Sequence, residues 1–201
     1  MIKTYIKNNF LNIEEINILK KYIYEELKNR ELVYFNTKIN VDTNKSIVQE
    51  HTGRLIMHFN LHKIPEQIYQ TVYDYALSIN TECVPYSFIF SRYSKDYGIP
   101  KLLLHINNAN TDFTIDYQLQ SNTNWNINIE NEQFLLKDND ALIFPSSDLT
   151  HWRDQKIFED KDYLDIVFFH FVNKDKKMIG KKPTTIKGDY IFEYYKNSGS
   201  A

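Results

Sequence analysis

The chain has 201 residues and a formal net charge of −2, which is long enough for one domain with a sizeable core and too weakly charged to draw nucleic acid or an anionic membrane surface. The 15 tyrosines and 13 phenylalanines favour sheet over helical bundle. Cys83 is the one cysteine, which excludes an internal disulfide; no apolar run reaches about 18 residues and the N-terminus has no apolar signal core, so a cytoplasmic protein without a membrane partner is expected.

Asn12 followed by Glu15 has the form of a capping box. Ile16, Leu19, Ile23 and Leu27 then recur at helical spacing, which predicts a helix over about 13–30. Residues 36–51 are polar and read as a loop. Leu55, Met57 and Phe59 alternate with Ile56 and His58 and predict a short strand. Pro65 opens a second helix, with Ile68, Val72 and Ala76 on one face, to about Ser78.

After Pro85 the apolar period changes to two. Phe88-Ile89-Phe90 is a strand core. Phe113, Ile115, Tyr117 and Leu119 alternate with Thr114, Asp116 and Gln118; Trp125, Ile127 and Ile129 alternate with Asn126 and Asn128. Phe134–Leu136, Ala141–Phe144 and Leu164–Val172 complete a series of short strands with polar turns, as in a barrel or jelly roll. One domain over 1–196 is expected. It has a helical N-terminal part to about residue 80, whose two helices cover one sheet, and a barrel core over about 86–173. The lysine-rich stretch at Lys174, Lys176, Lys177, Lys181 and Lys182 reads as a solvated loop. Tyr190–Tyr195 reads as a last strand or helix, and 197–201 as a disordered tail.

Two histidines carry the chemical signal. His105 ends the run Leu102-Leu103-Leu104, and His151 precedes Trp152-Arg153. On an extended chain, His105 and Asn107 leave the same face, so one strand end offers an imidazole and an oxygen to one ion while His151 arrives from a distant strand. Two histidines and a carboxylate with open positions mark non-haem Fe(II) oxygenases, but the oxygen donor here is an amide. Spacing alone leaves a second reading open, in which the two histidines are unrelated, one buried and one at the surface. His51, His58 and His62 span a predicted strand and loop and read as structural or exposed. Cys83 has no histidine partner and reads as a buried thiol.

The ordered set of motifs resembles the Fe(II)/2-oxoglutarate-dependent dioxygenases, in particular the prolyl-4-hydroxylase-like group, over roughly residues 86–173. Tyr93 and Gly98 precede His105; Thr114 lies on the next strand and Trp125 on the one after. Leu136-Lys137-Asp138-Asn139-Asp140 is similar to the Gly-Asp turn before the distal histidine, with Asn139 where glycine is usual; asparagine tolerates positive φ. His151-Trp152-Arg153-Asp154 and Phe168-Phe169-His170-Phe171-Val172 are similar to segments of a phage and bacterial branch. The resemblance implies a mainly β fold with flanking helices, a double-stranded β-helix (jelly roll). It implies Fe(II) as metal, 2-oxoglutarate as cosubstrate and O2 as oxidant. It further implies hydroxylation of an unactivated C–H in a prolyl, other amino-acid or small-molecule substrate.

By the same resemblance His105, His151 and Asn107 are the metal positions, and Tyr93 and Thr114 lie at the cofactor site. Arg153, two residues past His151, is preferred as the anchor for the distal carboxylate of 2-oxoglutarate, since its planar fork suits a bidentate pair. Lys161 stands at the family's more usual spacing. Asn107 in place of aspartate leaves three outcomes: the amide coordinates, Asp112 or Asp116 takes its place, or the reaction is lost and the cavity serves binding. Related halogenases place a small residue there, whereas asparagine fills the gap. A metal-binding cupin would want more histidines in its first cluster.

Overall fold

The computed structural model describes residues 2–34, 44–107 and 111–176. In chain order the elements are β1 (Tyr5–Lys7), α1 (Ile13–Asn29), β2 (Glu31–Tyr34), β3 (Lys45–Gln49), β4 (Arg54–Phe59), α2 (Glu66–Ile79), β5 (Cys83–Ser94), β6 (Leu102–His105), β7 (Phe113–Ser121), β8 (Ile127–Ile129), β9 (Glu132–Phe134), β10 (Ala141–Phe144), β11 (His151–Arg153) and β12 (Tyr163–Asn173). The strands form two sheets. The larger has the order β1-β10-β7-β12-β5-β4-β3-β2, the smaller β6-β11-β8-β9. The result is a mainly β, jelly-roll-like sandwich with two helices, as expected.

The helices form where their caps and apolar faces require. Asn12 accepts from the Glu15 N–H at 3.0 Å, and the Glu15 carboxylate accepts from the Asn12 N–H at 2.8 Å, so two otherwise orphaned donors are satisfied. Leu19 and Ile23 of α1 and Ile68, Val72 and Ala76 of α2 are buried. They share one core with Phe88 and Phe90 of β5, Phe113, Ile115 and Tyr117 of β7 and Val167, Phe169 and Phe171 of β12. Both helices thus cover the larger sheet, and each buried aliphatic or aromatic side chain contributes on the order of 2 kcal/mol.

Alternation along β7 sends Thr114, Asp116 and Gln118 to the opposite face, between the two sheets. A second core lies there, formed by Tyr93, Trp125, Phe158, Leu164 and Ile166.

Several elements differ from expectation. Residues 45–49 of the predicted loop form β3, with Ser46, Ile47 and Val48 buried; residues 36–43 lie outside the described part. Strands β1 to β4 show that the first 80 residues add strands to the larger sheet as well as helices. Pro65 is the N-cap of α2 rather than its first helical residue. Trp125 precedes β8, and β9 ends at Phe134. Lys174 and Lys176 are described; Lys177, Lys181, Lys182, Tyr190–Tyr195 and 197–201 lie outside the described residues. Among the described residues no helix is long and apolar enough to cross a membrane. Cys83 is buried, and burial pushes its thiol up to about 11.

Candidate functional site

The smaller sheet sets the two histidines side by side. β11 lies between β6 and β8, and His151 is the Cα partner of His105. Their rings stand 4.2 Å apart between centroids, inclined at 50°. His105 Nδ1 bonds the Leu103 carbonyl at 2.7 Å, and His151 Nδ1 bonds the Leu149 carbonyl at 3.1 Å. A carbonyl only accepts, so each Nδ1 carries the hydrogen and each Nε2 keeps its lone pair. Burial lowers the pKa of both rings. For His151 it falls to about 4, with His105 nearby adding to the shift. Both rings are therefore neutral at neutral pH, the state a metal ligand needs.

Asn107 follows β6 and is fixed by a short polar chain. Its backbone N–H donates to the Ser146 carbonyl at 2.8 Å. Its Nδ2 donates to Thr114 Oγ1 at 3.2 Å, and the Thr114 and Ser146 hydroxyls bond at 2.6 Å. With the amide nitrogen engaged, Oδ1 is the atom left to coordinate. Among the described residues no set of three or more histidine, cysteine, aspartate or glutamate side chains is arranged to hold a metal. Asp112 is committed elsewhere: it accepts from the Asn173 N–H at 2.6 Å and pairs with Lys176. Asp116 faces the interior without joining the histidines. The donors present on this side of the sheets are thus two imidazoles and one amide oxygen.

Arg153 ends β11 two residues beyond His151 and is 2% exposed. Its Nη1 donates to the Trp125 carbonyl and its guanidinium lies 5.2 Å from the Trp125 ring centre. Its Nη2 is buried without a hydrogen-bond partner. Burial lowers its pKa to about 10, with Tyr93 and Asp116 opposing the shift. Tyr93 is fully buried, meets Trp125 edge-on at 5.0 Å and accepts from Arg54 Nη1 at 3.3 Å. Lys161 instead stands exposed in the turn before β12, at φ 75°. The structure therefore brings His105, His151, Asn107, Thr114, Arg153 and Tyr93 to the space between the sheets and leaves Lys161 outside it.

Two further histidines enter this interior. His170 bonds Ser87 Oγ through Nδ1 at 2.6 Å. Burial pushes its pKa down to about 3, with His58, His151 and His105 adding to the shift. His58 is buried, and burial followed by Arg54 and Arg30 holds it near about 4. The alternation Ile166, Phe168, His170 was the available signal for His170; nothing local pointed to His58. His51 and His62 are exposed.

No protein-family model and no curated protein sequence matches the chain. Solved structures do. A Pseudomonas putida prolyl-4-hydroxylase superposes with a TM-score of 0.59 at 10% identity, over 86% of this chain and 94% of that one. HygX from Streptomyces hygroscopicus, with nickel and 2-oxoglutarate bound, gives 0.58 at 9% identity, over 87% and 84%. A Trichoplax adhaerens prolyl hydroxylase in complex with a hypoxia inducible factor peptide fragment gives 0.56 at 13% identity, over 84% and 83%. At these identities the likeness is one of fold.

Proposed function

We propose that the chain is an Fe(II)- and 2-oxoglutarate-dependent oxygenase on a double-stranded β-helix, hydroxylating an unactivated C–H of a prolyl or other amino-acid side chain. The observation that carries this reading is the His105–His151 pair, with both Nδ1 atoms tied back and both Nε2 lone pairs left for a metal beside Asn107. The fold likeness to prolyl hydroxylases and to HygX supports it.

In this reading His105, His151 and Asn107 hold Fe(II). Arg153 holds the distal carboxylate of 2-oxoglutarate through Nη2, which is buried without a hydrogen-bond partner. Bound there, Fe(II) with 2-oxoglutarate and O2 supplies the oxidising power for C–H hydroxylation, coupled to decarboxylation of the 2-oxo acid. Thr114 orients the Asn107 amide, and Ser146 orients Thr114. Tyr93, Trp125, Ile166 and Phe168 keep water from the anchor.

Asn107 supports a second reading. A neutral amide leaves the site one charge more positive than aspartate would and binds metal more weakly. The same cavity would then serve binding in a protein without turnover. Anaerobic titration with Fe(II) and then 2-oxoglutarate separates the two. A visible charge-transfer band of the chelated 2-oxo acid is expected. Failure to retain metal, together with no band, rejects the oxygenase and leaves the binding protein.

A further inference from the structure

Asp116 is an interior carboxyl to which the reading above gives no role. It lies on β7 two residues beyond Thr114, on the same face, and is 2% exposed. Its strand neighbours are Leu142 on β10 and Phe168 on β12, both apolar. Its Oδ1 is buried with no hydrogen-bond partner. The cation that acts on it is Arg153, whose Nη2 is likewise buried and unpartnered. No ion pair joins the two, although pairs elsewhere close to 2.7 Å, as between Arg92 and Asp165. Two deeply buried polar atoms, one on each sheet, thus lie in the interior with their hydrogen-bonding capacity unused.

An ionised carboxylate buried without a partner costs several kcal/mol, so the group keeps its proton instead. Burial raises its pKa to about 8, against the opposing charge of Arg153. A neutral carboxylic acid and a guanidinium both present donors. Two donors facing one space suit an acceptor-only group, which is a carboxylate. The depth agrees. Arg153 lies two residues beyond His151, and Asp116 two beyond Thr114, whose hydroxyl bonds Asn107, so each stands at most about 6.6 Å along its strand from the metal side of the site.

We infer that Asp116 is the second arm of the cosubstrate anchor: as a carboxylic acid, its O–H donates to the same distal carboxylate that Arg153 Nη2 grips. The inference rests on the oxygenase reading. It makes Asp116 a binding residue that rejects 2-oxo acids lacking the second carboxylate, since those leave two buried donors unpaired.

Calorimetric titration of 2-oxoglutarate into the Mn(II)-loaded protein tests it. Wild type binds. Asp116→Asn, which keeps a donor, holds affinity within about threefold, and Asp116→Leu, which removes it, weakens binding by at least about tenfold, as a hydrogen bond to a charged acceptor implies. Infrared difference spectra with labelled aspartate show a carboxylic-acid carbonyl band that shifts when 2-oxoglutarate is added and is missing in Asp116→Asn. Wild-type affinity in Asp116→Leu overturns the proposal. So does a carboxylate band in place of the acid band, or binding in Asp116→Asn at least about tenfold tighter, because both mean that Asp116 is ionised and repels the ligand. In each of those outcomes the oxygenase reading survives; wild type that binds no 2-oxoglutarate removes both.

Discussion

His105 and His151 face each other as Cα partners across the β6–β11 pair, with their ring centroids 4.2 Å apart. Among the described residues burial disfavours a proton on either ring, and no carboxylate opposes that shift. A divalent cation needs the rings in that neutral state. Mn(II) or Ni(II) at about a hundred times its Kd is expected to stabilise the fold by about 2.7 kcal/mol. Denaturant unfolding with and without metal measures this. His105→Ala and His151→Ala each remove the metal-dependent part. A wild-type curve that metal does not move rejects the centre.

Asn107 sets the strength of that centre. Asn107→Asp adds a negative charge where Oδ1 stands and is expected to tighten metal binding by at least about tenfold, or 1.4 kcal/mol. Thr114→Val releases the amide nitrogen, lets the amide turn, and weakens the metal. Equal metal affinity in wild type and Asn107→Asp, by calorimetry, means that position 107 is not a ligand.

Replacing Arg153 by Leu removes the buried guanidinium and its fork. Loss of 2-oxoglutarate binding with unchanged Mn(II) affinity is the expected result, read in one titration series. Unchanged cosubstrate affinity would transfer the anchor to another cation and leave the exposed Lys161 as the candidate.

Much of this was legible in the chain because local chemistry dictated it. The Asn12–Glu15 capping box, the apolar face of α2 and the alternation of β7 each appear where their pattern requires. Strands β2 and β3 were not legible. They pair in parallel at the sheet edge, and three buried residues in a polar stretch give too short a pattern to name a strand. His58 was legible only as structural or exposed, for a related reason: its burial comes from the strands packed around it, and a lone histidine in an apolar run looks the same whether inside or outside. Asp116 was visible as an interior position on β7, but its lack of a partner is a property of the packed sheets.

Asn139 illustrates a substitution that sequence anticipated and structure enlarged. It adopts φ 68°, the left-handed conformation expected where the pattern has glycine. Its side chain also accepts from the Leu11 N–H at 2.9 Å and donates to the Leu11 carbonyl at 2.9 Å, and the Tyr117 hydroxyl donates to its Oδ1 at 3.1 Å. The residue therefore ties the start of α1 to the turn before β10. Asn139→Gly keeps the backbone but loses the three bonds, for an expected cost of about 1–3 kcal/mol. Asn139→Ala adds left-handed strain of about 1 kcal/mol and is expected to be the worse of the two. Urea unfolding ranks them; alanine equal to glycine would mean that backbone strain at this turn is absent.

The interior histidines and Asp116 pull stability in opposite directions with pH. His58, His151 and His170 are held down to about 4, 4 and 3 from 6.5, each first by burial. Between about pH 4 and 6.5 the unfolded chain takes up three protons there that the folded chain refuses. Over the same range folded Asp116 keeps a proton, up to about 8, that its unfolded form, at 3.8, has lost. The unfolded state therefore binds a net 3 − 1 = 2 more protons, and stability falls with falling pH by up to about 2.7 kcal/mol per unit. The lowered pKa of His105 acts in the same direction. Above about 7 the histidine difference fades and Asp116 dominates, with the raised Cys83 thiol acting in the same direction as pH approaches 9. The folded state then holds the extra proton, and stability declines as pH rises toward 8. Denaturant unfolding of the metal-free protein from pH 5 to 9 is expected to show a maximum at about pH 7. Asp116→Asn should flatten the alkaline limb and steepen the acid one. A wild-type profile that keeps rising through pH 8 would mean that Asp116 is ionised in the fold, and the two-donor anchor with Arg153 would fail with it.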